Sequence, residues 1–187
     1  MSDLTELAID LGTLENKIVD DQFLQIVNQA PPASFIKEHP MIKGYKYIPI
    51  DKIELLMDKI FQKWNVEVKD VSHILNSIAV TVRLHYRNPV TEKMEYQDGV
   101  GASKIQVEKG QNASNLQAIK PDAITMALPS AKSEAIKDAA DHIGTIFGRN
   151  VSRKDTIEFN PTYATTEAKE AMAKQREEIR SQLNANN

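Results

Sequence analysis

The chain has 187 residues, 41% hydrophobic and 26% charged, with a formal net charge of −3 and no cysteine. Such a length supports one compact domain with tails, and the balance of apolar and charged residues excludes a disordered or fibrous chain. Without cysteine there are no disulfides, zinc knuckles, iron–sulfur clusters or thiol nucleophiles.

From Met1 to Leu14 acidic and apolar residues alternate, without the basic start and continuous apolar stretch of a signal peptide. No apolar run elsewhere is long enough to cross a bilayer, so a soluble, cytoplasmic protein with no membrane partner is expected. Residues 1–30 form an acidic helical segment, with Asp3, Glu6, Asp10, Glu15, Asp20 and Asp21 against Lys17 alone. The rest of the chain therefore carries a small positive balance that a basic strip could use. Apolar spacing from Leu4 to Val27 predicts one or two short helices, stopped by Pro31 and Pro32. Phe35 to Ile50, with Pro40, Gly44 and Pro49, reads as a loop or short extended stretch. Asp51 and Glu54 have capping-box-like spacing, and Ile53, Leu56, Met57, Ile60, Phe61 and Trp64 predict an amphipathic helix with Trp64 on its apolar face.

Beyond Trp64 the period changes to two. Val66 and Val68 begin a strand, and Ile78, Val80, Val82, Leu84 and Tyr86 alternate with Ala79, Thr81, Arg83, His85 and Arg87. Asn88-Pro89 marks a turn and Met94 to Gly101 a return strand, in which Gly99 and Gly101 suggest a bulge or a close backbone approach. Gly110 to Ala123 reads as a surface loop. Ser130 is the expected cap of a second helix, with Ala135, Ala139, Ile143, Ile146 and Phe147 on one face and Gly148 at its stop. The core is expected over 31–160, and 161–187 as a charged helical or disordered tail. The fold class is α+β: an antiparallel hairpin sheet packed on a long helix.

Glycine-rich phosphate loops, paired-histidine metal motifs and serine elbows are absent, so no cofactor and no catalytic residue is expected. His39, His73, His85 and His142 share no ligand spacing. Glu67-Val68-Lys69 matches half of a metal-dependent nuclease pattern, but the upstream carboxylates Asp51 and Asp58 fall on a helix. Arg83, His85 and Arg87 share one strand face with Lys69 and Lys104 near it, a surface suited to a phosphate backbone and equally to plain solvation. Lys52 and Lys63 lie at either end of the first amphipathic helix, Lys132 and Lys137 on the second, and Arg149, Arg153 and Lys154 just beyond it. Tyr45, Tyr47 and Trp64 are candidate stacking residues.

The order of motifs resembles the Rad fifty-two-like single-strand annealing domain. Tyr47 to Ile53, Ile60-Phe61 and Trp64 to Val68 resemble its helix and first strand. Tyr96-Gln97-Asp98-Gly99-Val100-Gly101 resembles its acidic-glycine strand, and Ala131 to Ala135 through Asp138 to Phe147-Gly148-Arg149-Asn150 its long helix, covering about residues 45–155. The resemblance implies a homo-oligomeric ring, in a bacterial or phage-infected cell, that holds single-stranded DNA by its backbone and anneals complementary strands without ATP in recombination or repair. A single-strand-binding protein or an exonuclease is the implied further partner. Lys52 stands where that family has a DNA-contacting arginine. The family's adjacent basic residues on the long helix are replaced here by Asp141 and His142, and a later one by Thr145. The alternatives to a strand-annealing protein are a metal-dependent nuclease through Glu67 and Lys69, and a non-catalytic protein-interaction module.

Overall fold

The computed structural model describes residues 2–40, 42–112, 115–153, 159–162 and 164–185, which fall into two compact units. One pairs helix α1 (Ser2–Asn28) with helix α4 (Thr166–Ala185). Where one or two short helices were expected, α1 is continuous; Gly12 costs a helix interior only about 1 kcal/mol, too little to break it. The helix ends ahead of Pro31-Pro32, as anticipated, with Asn28 Nδ2 donating to the Leu24 carbonyl at 2.9 Å. Asp21 is buried, and its carboxylate accepts from the Ala164 amide at 3.2 Å. Arg176 of α4 pairs with Glu15 of α1, and Thr165 Oγ1 caps α4 by accepting from the Ala168 amide at 3.1 Å.

The other unit begins with a 3₁₀ turn (Ala33–Phe35) and two short antiparallel strands, β1 (Lys37–Glu38) and β2 (Lys46–Tyr47). Ser152 clamps β2, accepting from the Lys46 amide at 2.8 Å. Helix α2 (Ile50–Phe61) buries Ile53, Leu56, Met57 and Phe61, the spacing anticipated. Its N-cap is Pro49 rather than Asp51, with no side-chain cap. Gln62, at φ +57°, turns the chain out of the helix, so Trp64 opens the next strand instead of extending the apolar face. The indole donates to Asp58 at 2.7 Å and is only half-buried.

Strands β3 (Trp64–Ile74), β4 (Ser77–Arg87) and β5 (Met94–Lys104) form an antiparallel meander in that order. Strict alternation on β4 buries Ile78, Val80, Val82, Leu84 and Tyr86 and turns Thr81, Arg83, His85 and Arg87 to the opposite face. The β3–β4 register shifts between Val68 and Asp70, leaving Lys69 as the bulged residue.

Helix α3 (Ala123–Ile143) lies across β4 and β5 on the buried face. It starts seven residues before Ser130 and carries Pro129 inside; the proline removes one bond near the start of the helix, which the remaining turns tolerate. Ala123, Ala127, Ala131, Ala135 and Ala139 recur every fourth position and are all buried. Opposite them, Gly99 and Gly101 let the backbones nearly touch: a Cβ on either would lie 2.3 Å from an Ala135 backbone atom. Ile146 and Phe147, expected on the helix, belong to a separate 3₁₀ turn after Gly144 (Thr145–Phe147). Gly148, at φ +123°, ends that turn rather than the helix. Phe147 stacks on Phe61 with centroids 6.2 Å apart, and Phe61 meets Tyr86 at 4.6 Å, closing the core between α2, β4 and the 3₁₀ turn. The stretch expected as a surface loop contains a 3₁₀ turn (Leu116–Ala118) and a bridge between Val107 and Ile119, and buries Ala118. No helix among the described residues is long and apolar enough to cross a membrane.

Candidate functional site

The sheet divides the sequence-selected cations into two groups. Register places Lys104 opposite Ser77, Asp98 opposite Arg83 and Glu67 opposite Arg83, so Arg83, Arg87, Lys104 and Glu67 share the face away from α3. Lys69 joins them, its Nζ 3.1 Å from Glu67 Oε1. All of these but Lys104 are joined in ion pairs. Arg83 holds Asp98 through two bonds of 2.7 and 2.8 Å and lies 3.9 Å above the Tyr96 ring centroid. The hydrogen bonds with Asp98 raise the Arg83 pKa and keep the Asp98 carboxyl below its ordinary range. His85 Nε2 sits 3.1 Å from Glu67 Oε2; that bond, then the one from Lys69, lowers the Glu67 pKa. Arg87 pairs with Glu92 at 3.1 Å. Each paired cation is at least partly exposed, so a phosphate would compete with a carboxylate already in place.

Glu67 and Lys69 do lie on one side of β3, as their spacing suggested, but they are joined to each other and to His85. Among the described residues no group of three potential metal ligands comes together.

On the helix side, a groove with a volume of about 890 Å³ runs between α3, the edge of β5 and the segment from His39 to Ile53. Lys46 and Lys137 line it, as do Tyr45, Tyr47 and His39. His39 meets both tyrosines edge-on, with ring centroids 5.9 and 6.0 Å away, and Lys137 Nζ lies 5.2 Å from the Tyr47 ring. Lys137 also pairs with Glu134 at 2.7 Å. Lys52 sits in the first turn of α2, between the groove-lining Ile50 and Ile53. It pairs with Asp51 at 3.0 Å and lies 5.7 Å from the Phe35 ring.

The remaining candidates disperse. Arg149 donates to the Asp141 and His142 carbonyls at 2.6 and 2.7 Å, neutralising the exposed C-terminus of α3. Lys63, Lys132 and Arg153 are exposed and, like Lys104, hold no ion pair among the described residues. Lys154 lies outside the described residues.

Sequence reading missed Lys46 and the groove itself. Both depend on the two-residue pairing of β1 with β2, too short to leave a periodic signal. Asp141 stands out in the sequence only as a departure from the family's basic pair; its place in the groove, and its carboxyl pushed up to about 7 first by burial and then by the neighbouring Asp138 charge, come from the fold.

The unit is thus a three-stranded meander backed by a long helix, with a groove of aromatic, basic and acidic residues at the sheet edge. The chain belongs to the Rad52/22 family of double-strand break repair proteins, whose model matches residues 12–170. No curated protein gives a match. Family membership places the chain in DNA repair and recombination.

Proposed function

We propose that this protein binds single-stranded DNA along the helix-side groove and anneals complementary strands without nucleotide hydrolysis. The observation that carries the reading is the groove itself, in a chain of this family. Lys46 and Lys137 supply charge for the sugar-phosphate backbone, Lys52 stands at its margin, and the half-exposed Tyr45 offers an aromatic face. A strand held by its backbone keeps its base edges free to pair, and pairing supplies the driving force.

Self-assembly extends the groove from copy to copy. Because α3 covers β4 and β5 but not β3, Val68 and Val71 on the helix side of the sheet are left about half exposed. On α3, Ile124, Met126 and Leu128 are exposed as well. Two different apolar patches on one molecule support a head-to-tail contact, which closes into a ring when its rotation permits. A few weak contacts per subunit then add up along one strand. Lys63, Lys132 and Arg153, with the sheet-face cations Lys69, Arg83, Arg87 and Lys104, are auxiliary contacts in this proposal; Arg149 is assigned to the helix end.

Fluorescence anisotropy with a labelled oligothymidylate tests it. Expected is binding that weakens with salt, with a slope of about −0.7 per phosphate contacted. Absence of binding at low salt, or binding unchanged by Lys52→Ala with Lys137→Ala, contradicts it.

A further inference from the structure

The groove carries two lysines, Lys46 and Lys137, against three carboxylates, Glu134, Asp138 and Asp141. These carboxylates stand at i, i+4 and i+7 of α3, so one helix face presents all of them. Two are engaged: Glu134 pairs with Lys137, and Asp138 accepts from the Val100 amide at 3.0 Å. Asp141 is the last of the row, half-buried in the final turn of α3, where the carbonyl end of the helix disfavours negative charge. The chain packs closely there: a Cβ on Gly148 would lie 3.3 Å from Asp141 Oδ1. Arg149, beyond the 3₁₀ turn, gives its guanidinium to the Asp141 and His142 carbonyls. Lys46, His39, Tyr45 and Tyr47 line the groove from the other side.

We propose that Asp141 is a proton-operated gate on this groove: a polyanionic strand enters with uptake of a proton at Asp141, and the ionised carboxylate opposes it. The inference rests on the reading of the groove as the single-strand site and adds a regulation to it. With Asp141 ionised, the groove's carboxylates outnumber its lysines; with Asp141 neutral, they balance. Burial and the Asp138 charge bring its titration to about 7, while Arg149 and Lys137 act in the opposite direction. Removing one like charge about 8 Å from a phosphate, at an effective dielectric of roughly 40, changes affinity about fivefold. Engagement of several subunits on one strand compounds the effect.

Calorimetric titration of the full chain with an oligothymidylate at pH 7.5, in HEPES and in Tris, counts the protons taken up. Expected is uptake of about 0.4 proton per occupied subunit, because a fivefold effect raises the carboxyl pKa by roughly 0.7. Asp141→Asn is expected to abolish the uptake and to bind at pH 8 as tightly as the wild type binds at pH 6. His39→Gln is expected to retain the uptake, which separates carboxyl from imidazole. Wild-type binding with equal heats in the two buffers overturns the gate while leaving the groove assignment intact, and needs no variant to be read. Uptake that persists in Asp141→Asn or vanishes in His39→Gln overturns it also. No binding at any pH sinks the groove assignment, and the gate with it.

Discussion

Replacing Gly99 by alanine would drive one methyl group into the backbone of α3. The new carbon would lie 2.3 Å from Ala135 O, 2.4 Å from Ala139 N and 2.8 Å from Ala139 Cα, where ordinary contact begins near 3.4 Å. None of these atoms can rotate away, so relief requires the helix to lift by roughly 1 Å. Lifting opens a gap along Ala131, Ala135 and Ala139, all fully buried, and over Val80 and Val82 beneath them. Overpacking costs about 1–3 kcal/mol when side chains can adjust, and a backbone obstacle puts Gly99→Ala at or above the upper end. For a chain of this size about 3 kcal/mol lowers Tm by roughly 6–12 °C. Gly101→Ala meets Ala135 N and Ala131 O just as closely and is expected to behave alike. Gly12→Ala is the control: nothing lies within 4 Å and the site is inside α1, so a gain of about 0.5–1 kcal/mol is expected. Thermal unfolding followed by circular dichroism reads all three. Gly99→Ala and Gly101→Ala melting within about 2 °C of wild type would refute the close helix–sheet approach.

Asp141 has a folded-state pKa of about 7, above its ordinary 3.8, so the folded chain holds the extra proton between those values. Its contribution to stability is complete below about pH 4 and is lost progressively as pH rises to 7; Tm of the wild type should therefore fall relative to Asp141→Asn between pH 4 and 7 and level off above. Arg149→Ala leaves the last carbonyls of α3 without their donor and should cost about 1 kcal/mol in urea unfolding, with little change in the salt slope of DNA binding. Lys52→Ala with Lys137→Ala should instead reduce that slope by about 1.4 while affecting stability little. Incubation of labelled strands with Mg²⁺ or Mn²⁺ should give no cleavage; cleavage abolished by Glu67→Gln and by Lys69→Ala would establish the nuclease alternative.

Elements with a long period were legible in the sequence. The alternation on β4 and the apolar spacing of α2 each repeat often enough to fix which side chains face inward. Boundaries set by single residues were not. Gln62 leaves the helix through a left-handed conformation that glutamine does not advertise, so Trp64 read as helical. Alanine carries so weak an apolar signal that only Ala135 and Ala139 of the stripe are read from sequence, while Ala123, Ala127 and Ala131 are not, and Ser130 takes the role of cap. Gly99 and Gly101 suggest a bulge or a close backbone approach from sequence, and the unbroken β4–β5 register with the nearness of Ala135 selects the second. As for the site, residue type alone nominated Arg83 and Arg149, but only the fold shows that one is held by Asp98 and the other by the end of α3. Lys46, Lys137 and Asp141 are brought into one groove by β1–β2 pairing and the path of α3, which are long-range facts.

The most direct test of the account is the rate at which two complementary oligonucleotides, one carrying a fluorophore and one a quencher, join in the presence of the protein and the absence of nucleotide. Quenching faster than the spontaneous rate, and returned close to it by Lys52→Ala with Lys137→Ala, is the predicted result. A spontaneous rate with the wild-type protein bound to both strands would contradict strand annealing as its function.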